Sequence, residues 1–502
     1  MGGIISIFTK EVGYPSSLIP SKLRIISSLL SRYLEIFGRE ELSLYRIPAR
    51  VNLMGMHIEH RGGYVNHISL PYENFFLVSS GNKGEYKFFN LREEFPPRKF
   101  KVEKYLSSLR RDSWLGFIEK IEISQGDWGN YLLASILRLA KNYSLEKSPG
   151  LKGIIGGDVP IGSGLSSSST LVVGIALAII ENNYLPLSRE ELVEICGEAE
   201  WFVGTRGGAG DHGAMLLGKK GKILHLRFFP LTYEYLDFPS NLSLIVAHSG
   251  KKAEKTKEAK DIFNERVATY ILGLKLLRER FPEWRNKLKR IRDITPENLG
   301  VEEREIYRII KFLPLRATRE ELKKELGEKE TQPLFLSHRE PPEGYRIREV
   351  LLYGISECRR AEVLQELAKN NNWKRIGELM YCGHDGDRVT LWKNDKNEPF
   401  LLTFTEDYLE EVYQENLPLE EVSGRYFCST MELDLMVDTV KNLDPVIGAR
   451  LTGAGLGGSI VILLEKGGEG EVKENLIKCY YDRLNISPSL LKGVPVEGAG
   501  EI

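Results

Sequence analysis

The alternation of apolar and polar residues divides the chain into short strand-like and longer helix-like runs. Between residues 44 and 239 the strand-like runs lie at 75–79, 153–156 and 223–229, and the helix-like runs at 130–141 and 167–181. A strand-like run, Leu242–His248, opens a second half with helix-like runs at 349–370 and 432–441. This order predicts an α/β (α+β) architecture with mixed strand connections.

A loop of small residues, Gly157-Asp-Val-Pro-Ile-Gly-Ser-Gly-Leu-Ser166, separates a strand-like run from the helix-like run that begins at Ser167. Small residues let the backbone approach an anion, and the first N–H groups of a helix point at it with the positive end of the helix dipole. The pattern predicts a phosphate cradle for a nucleotide. The candidate nucleotide-binding residues are Gly162, Ser163, Gly164, Leu165, Ser166, Ser167 and Ser168.

Two other interpretations of this loop differ in strength. A P-loop is excluded, because no lysine follows Gly162 or Gly164. A serine-capped helix without any ligand stays open as an alternative, since serine is a preferred N-cap.

A second glycine-rich segment, Gly453-Ala-Gly-Leu-Gly-Gly458, satisfies the spacing of a dinucleotide-binding loop. Such a loop must follow a strand and open a helix, whereas these glycines lead into the β-branched run Ser459–Leu464. The segment therefore predicts a tight turn between two strands.

Three motifs in this order resemble the GHMP kinase superfamily: Pro48–Gly63, Gly157–Thr170 and Arg450–Ser459. Within it, Arg50-Val-Asn-Leu-x-Gly-x-His57 with Gly62-Gly63 resembles the galactokinase signature, and Trp128-x-Asn-Tyr131 matches a helix start of that family. The resemblance implies a two-domain GHMP kinase fold, ribosomal-S5-like in the N-terminal domain and ferredoxin-like in the C-terminal domain, with the active site between them. We place the domains at 1–240 and 241–502, with a charged insert at about 268–346 that carries no motif of the family.

The resemblance also implies the catalytic groups, although Asp211 amid glycines could be only a turn residue. Asp211 is the candidate base and Arg50 its partner, because a guanidinium keeps an aspartate ionised and stabilises charge on a transferred phosphoryl group. By the same resemblance, Mg²⁺ would accompany ATP and be held by the hydroxyl of Ser168, or of its neighbour Ser167, and by the carboxylate of Glu200. The Glu200 to Asp211 spacing is one residue shorter than is usual in galactokinases, so Glu198 stays open as a substitute.

The sugar motif departs from the family. Galactokinases read Gly-Glu-His-Thr-Asp-Tyr where this chain reads Gly55-Met-His-Ile-Glu-His60. By resemblance the sugar-binding residues are Met56, His57, Glu59 and Gly210, and the residue nearest to a pocket-closing tyrosine of the family is Phe263. Because Met56 replaces a carboxylate, one sugar hydroxyl loses its acceptor, and the pocket is expected to favour a less polar group at that position.

Composition and charge indicate which partners, membrane contacts and cellular location to expect. The 69 basic and 70 acidic residues nearly cancel, so nothing suggests a nucleic-acid partner or a polybasic membrane surface. The longest apolar run, 171–180, is too short to span a bilayer. Five scattered cysteines without a CxxC pair predict free thiols and a cytoplasmic location. We expect a monomer or homodimer.

Together these observations predict an ATP-dependent sugar kinase that phosphorylates the C1 hydroxyl of galactose or a related sugar. Two alternatives stay open. One is a GHMP kinase for another sugar or small alcohol, such as a pentose or an amino sugar; the other is a catalytically silent galactokinase-like sensor. Retention of both Asp211 and Arg50 argues against the sensor.

Overall fold

A computed structural model describes residues 2–204, 207–253, 257–393 and 396–502. The strands are β1 Ser43–Met54, β2 Val65–Lys83, β3 Glu85–Asn90, β4 Arg98–Lys101, β5 Pro149–Gly157, β6 Lys222–Arg227, β7 Thr232–Asp237, β8 Leu242–His248, β9 Thr390–Lys393, β10 Lys396–Pro399, β11 Val446–Thr452, β12 Ser459–Glu465, β13 Leu490–Gly493 and β14 Gly500–Glu501.

The α-helices of eight or more residues are α1 Ile19–Phe37, α2 Gly129–Asn142, α3 Ser167–Asn182, α4 Arg189–Glu200, α5 Gly210–Leu217, α6 Lys257–Arg280, α7 Arg319–Leu326, α8 Glu328–Phe335, α9 Ile347–Lys369, α10 Trp373–Asp387, α11 Glu406–Gln414, α12 Met431–Val440 and α13 Glu469–Leu476. Shorter helices are Gly2–Ser6, Leu106–Arg111, Trp114–Ile118, Pro296–Leu299, Glu305–Lys311 and Asp482–Leu484. The helices and strands named from the sequence pattern are confirmed, with ends that shift by one or two residues for most of them.

The first half is built on a mixed sheet in the order β14-β1-β2-β5-β3-β4, with β6 on β2 and β7 on β6. Its pairs are antiparallel except β3 with β5. Helix α3 is buried on nearly all sides, with Val172, Ile175 and Ile179 inaccessible to solvent. A helix that is apolar on all sides must lie in a core. The core therefore holds α3 in place, together with the end of the loop 157–166 that precedes it. We call this loop the phosphate loop, after the phosphate cradle that the sequence predicts.

The second half is built on an antiparallel sheet in the order β11-β12-β8-β13. Successive residues of a strand point to opposite faces. Leu244 and Val246 share a buried cluster with Val51 and Leu53 of the first half. Their neighbours Ile245 and Ala247 instead join the cluster that includes residues of α12 and α13. This double burial fixes the second sheet between its own helices and β1.

The charge-rich segment after β8 is helical and has its own core. Tyr270 and Leu277 of α6, Tyr307, and Leu351 of α9 are inaccessible to solvent within one cluster. Apolar burial on this scale stabilises a helical layer, so the charges of the segment coat a folded lobe.

Strand β7 ends at Asp237 in the first sheet and β8 begins at Leu242 in the second. We propose the domain boundary between them. The chain returns at its end, where Gly500 and Glu501 pair with Arg46 and Tyr45 of β1. Among the described residues no helix combines the length and apolarity needed to cross a bilayer.

Candidate active site

One cavity of about 690 Å³ joins the three sequence motifs. The phosphate loop and α3 line one part, and the sugar motif from Gly55 to His60 lines another. The turn Gly453–Leu456 of the second half also lines the cavity. A volume of this size suits a bound small molecule or cofactor.

The phosphate loop has the conformation that its glycines permit. Gly162 and Gly164 have φ angles of 71° and 77°, and Ser166 also lies in the left-handed region with φ 61°. Helix α3 then begins at Ser167, as the sequence predicts. A left-handed non-glycine residue is uncommon and is kept where the surroundings fix it. Here it places the Ser166 hydroxyl on Asp211, to which it donates a hydrogen bond.

The glycine-rich segment of the second half supports this loop from behind. It joins β11 and β12, which pair antiparallel, so the predicted tight turn between strands is confirmed. A Cβ on Gly453 would lie 2.4 Å from the carbonyl oxygen of Gly164, so only glycine allows the approach. Ser459 donates a 2.7 Å hydrogen bond to the carbonyl oxygen of Ser163. The loop is thus held by both halves of the chain.

Arg50 and Asp211 form a two-point ion pair on the cavity wall. Arg50 Nε donates to Asp211 Oδ1 at 2.6 Å and Nη2 to Oδ2 at 2.8 Å. Its Nη1 donates to the carbonyl oxygen of Gly164 at 2.7 Å. Burial raises the pKa of Asp211, but the charge and hydrogen bonds of Arg50, with smaller contributions from His67 and Ser166, outweigh it and hold that pKa far below its ordinary value. Asp211 is therefore a carboxylate, fixed beside the phosphate loop.

The two candidate metal-binding glutamates lie on different faces of α4. Glu200 lines the cavity, where Ser168 and Ser169 donate to its carboxylate at 3.2 and 2.8 Å. Glu198 instead forms a 2.7 Å ion pair with Arg138 of α2. Residues two apart on a helix do not share a face. Glu200 and Ser168 therefore lie together on the cavity wall, whereas Glu198 lies against α2.

The turn before Asp211 accommodates the longer carboxylate of the sugar motif. A Cβ on Gly208 would lie 2.2 Å from Cγ of Glu59, and Gly210 borders the same side chain. Burial raises the pKa of Glu59, but His60, whose Nδ1 lies 3.7 Å from its Oε2, outweighs burial and brings the pKa to about 2. The structure thus brings Glu59 and Gly210 together at the Asp211 end of the cavity.

His57 and Met56 are held from the second half. His57 has φ 63°, and its ring stacks on Tyr426 with centroids 4.3 Å apart. Burial lowers the pKa of His57 to about 3, so the imidazole is neutral. The backbone N–H groups of Gly55 and Met56 both donate to Glu357 of α9, at 2.8 and 3.0 Å. Met56 is 4 % exposed and packs in the apolar cluster under the second sheet, although it also borders the cavity.

Several cavity residues were not among the predicted site residues. Three aromatic side chains and two imidazoles line the cavity. They are Phe95, Trp128, Tyr131, His60 and His67. The Trp128-x-Asn-Tyr131 motif was a usable signal for two of them, whereas nothing local marks Phe95 or His67. Phe263, the nearest match to the missing tyrosine, lines the cavity.

Comparisons with known proteins agree with this geometry. The model of the galactokinase galactose-binding signature matches residues 31–80, that of the GHMP kinase N-terminal domain 130–219, and that of the GHMP kinase C-terminal domain 408–482. A galactokinase of Thermococcus kodakarensis is 25 % identical over 453 residues, covering 90 % of this chain and 97 % of that protein. A galactokinase of Fusobacterium nucleatum is 25 % identical over 482 residues, covering 95 % and 100 %.

The fold is also that of a solved structure, Lactococcus lactis galactokinase complexed with galactose. The TM-score is 0.67 at 20 % identity, over 95 % of this chain and 100 % of that one. Matches to three family models, in the order that the three motifs follow, assign the chain. It belongs to the GHMP kinases, with the galactose-binding signature of the galactokinases.

Proposed function

We propose that the protein is an ATP-dependent kinase that transfers the γ-phosphoryl group of ATP to the C1 hydroxyl of galactose or a closely related sugar. The observation that carries this proposal is the Arg50–Asp211 ion pair, which lies where the phosphate loop meets the sugar motif in one cavity. The galactokinases similar to this chain over nearly all of its length support the sugar class.

In this proposal ATP lies along Gly162–Ser168. The free N–H groups at the start of α3 face its phosphates, and the aromatic residues Phe95, Trp128 and Tyr131 surround the base. Flat apolar rings suit a purine better than a phosphate or a sugar. The sugar lies at the other end, between Glu59, His57 and Asp211.

Mg²⁺ fits the side chains at the start of α3. It prefers oxygen ligands and keeps several waters, and the hydroxyl of Ser168 and the carboxylate of Glu200 are oxygen donors 3.2 Å apart on the cavity wall. Bound there with the nucleotide, the ion would neutralise phosphate charge.

Asp211 accepts the hydrogen bond of the C1 hydroxyl and directs its oxygen at the phosphoryl group. Because its pKa is held so low, Asp211 is a weak base, and it takes the proton only as the new O–P bond forms. Arg50 keeps Asp211 ionised and in place through two hydrogen bonds. Positioning and charge stabilisation of this kind account for most of the rate in phosphoryl transfer.

The test is a screen of ADP release with Mg-ATP over hexoses, pentoses, uronic acids, acetamido sugars and small alcohols. The position of the phosphate on the product is then assigned by phosphorus NMR. We expect a C1 phosphate on galactose or a close analogue, with D211N as the background control. Phosphate on another hydroxyl would favour the kinase of a different alcohol. Sugar binding without ADP release above D211N would favour the sensor.

A cytoplasmic location and a monomeric or homodimeric state belong to the same proposal. The five cysteines are all free thiols, as expected in a reducing compartment. Gel filtration with light scattering determines the oligomeric state directly.

A further inference from the structure

Three side chains of different chemistry meet behind the sugar motif. They are His57, Asp387 at the end of α10, and Cys428 in the segment that follows α11. Asp387 and Cys428 are inaccessible to solvent and His57 is 7 % exposed. One nitrogen, one carboxylate oxygen and the sulfur all lie within 4.8 Å of one another.

Two of these atoms have no hydrogen-bond partner among the described residues. His57 Nε2 and Asp387 Oδ1 lie 3.6 Å apart, too far for a hydrogen bond. The other oxygen of Asp387 accepts from the Tyr353 hydroxyl at 3.0 Å, so the carboxylate is fixed with Oδ1 toward the imidazole. A buried polar atom left without a partner costs free energy. The arrangement calls for a species that contacts both atoms at once.

We infer that His57, Asp387 and Cys428 form a binding site for a divalent transition-metal ion of the zinc type. Zn–N and Zn–O bonds are about 2.0–2.2 Å and Zn–S bonds about 2.3 Å, so two ligands on a tetrahedral ion lie about 3.3–3.7 Å apart. The 3.6 Å separation of His57 and Asp387 fits this range. Imidazole, carboxylate and thiolate together suit zinc, whereas Mg²⁺ prefers an all-oxygen set.

The charges of the site balance when such an ion binds. A neutral imidazole, one carboxylate and one thiolate carry two negative charges, which a divalent cation cancels, and a neutral cluster is the least costly kind to bury. Binding breaks the S–H bond of Cys428 and releases its proton to solvent. Nη1 of the neighbouring Arg450 is engaged outside the site, since it donates to Glu357 at 2.8 Å.

The three ligands come from segments far apart in the chain. An ion held by them would fix the sugar motif to α10 and to the segment around Cys428, and would hold the His57 ring, already stacked on Tyr426, at the cavity wall. The position of this ion is separate from that of the Mg²⁺ proposed beside Glu200.

The experiment measures metal content and a ligand spectrum. The full chain, produced without a histidine tag in zinc-supplemented medium, is dialysed against metal-free buffer and measured by elemental analysis. The same measurements are made on C428S, D387N and the matched control C479S. Cys479 is also a free thiol, and its chain neighbours Ile477 and Tyr480 belong to a different apolar cluster from Cys428. Protein stripped with a chelator is then titrated with Co²⁺, which gives a sulfur-to-cobalt charge-transfer band when a thiolate binds it.

We expect about one equivalent of zinc in the wild type and C479S, and a fall to about a tenth of that or less in C428S and D387N. The cobalt charge-transfer band should appear in the wild type and be absent in C428S. If either variant fails to fold, the wild-type cobalt titration decides alone. Wild-type protein that holds no zinc and gives no such band with Co²⁺ would overturn the inference, as would full zinc content in folded C428S.

Discussion

The phosphate end and the sugar end of the cavity are built differently. At the phosphate end the charged groups of Arg50, Asp211 and Glu200 are already paired with neighbours. At the sugar end the motif departs from the family, and among the described residues both ring nitrogens of His60 are buried without a hydrogen-bond partner. Paired groups are organised before the substrate arrives, whereas unpaired buried groups gain their partners from what binds.

This difference indicates that the phosphate end determines the rate of phosphoryl transfer, whereas the sugar end determines which sugar is preferred. Phosphoryl transfer needs the same protein groups for every alcohol acceptor. In this protein, hydrogen bonds to other residues hold those groups in place. Sugar hydroxyls differ in position between substrates, and a site discriminates strongly only when a substrate group satisfies buried polar atoms. Changes at the phosphate end should therefore reduce the rate for all sugars, and changes at the sugar end should alter the ratios among them.

The largest effect is expected for Asp211→Asn. The amide keeps the size of the side chain but can neither accept the proton nor pair as an anion with Arg50. Turnover should fall by at least about a hundredfold while nucleotide binding persists. Steady-state kinetics and calorimetric nucleotide titration measure the two properties. Near-normal turnover in a folded variant would remove Asp211 from the reaction.

The second effect concerns the Arg50–Asp211 pair. Lysine at position 50 keeps the charge but loses the two-point hydrogen bonding, so kcat should fall about tenfold to a hundredfold for every sugar. Because Arg50 holds the pKa of Asp211 down, Arg50→Lys should raise that pKa and move the acid limb of the kcat/KM profile to higher pH.

The change in the pKa of Asp211 should also change the free energy of unfolding at acid pH. A carboxyl whose pKa is lowered by folding stabilises the protein above its ordinary pKa, and this contribution is lost as the pH falls through the folded value. In Arg50→Lys the contribution should be smaller, and its loss should be complete at a higher pH than in the wild type. Acid unfolding curves that coincide for the two proteins would contradict the pairing.

The third effect separates the two glutamates of α4. Glu200→Gln should raise the Mg²⁺ concentration for half-maximal rate by about tenfold, because it removes a charged oxygen ligand. Glu198→Gln is the matched control, with the same change on the face that pairs with Arg138. Titrations in which Glu198→Gln shifts and Glu200→Gln does not would move the assignment to Glu198.

The smallest effect is expected at Met56, which packs largely in the apolar cluster of the second sheet. Met56→Glu should move preference toward galactose by several-fold relative to its 6-deoxy analogue and arabinose, because a carboxylate pairs with a hydroxyl near the exocyclic carbon. Met56→Leu, similar in volume, should leave the ratios unchanged. Equal kcat/KM ratios in the folded Glu variant would show that Met56 does not set specificity.

The local elements of the site follow from the sequence alone. The loop that ends at Ser166, the start of α3 at Ser167 and the turn between β11 and β12 were all predicted, because glycine positions, helix-start chemistry and β-branched runs act over a few residues. The order of the three motifs also indicated the family before any geometry was known.

Other features depend on contacts that only the tertiary structure makes. Which of Glu198 and Glu200 faces the cavity depends on how α4 packs, since residues two apart on a helix point to different sides. Glu357, which holds the sugar motif through backbone N–H groups 301 and 302 residues away, carries no local signal. The same holds for the meeting of His57, Asp387 and Cys428. Sequence patterns encode local conformation, whereas these contacts arise from the packing of distant segments into one core.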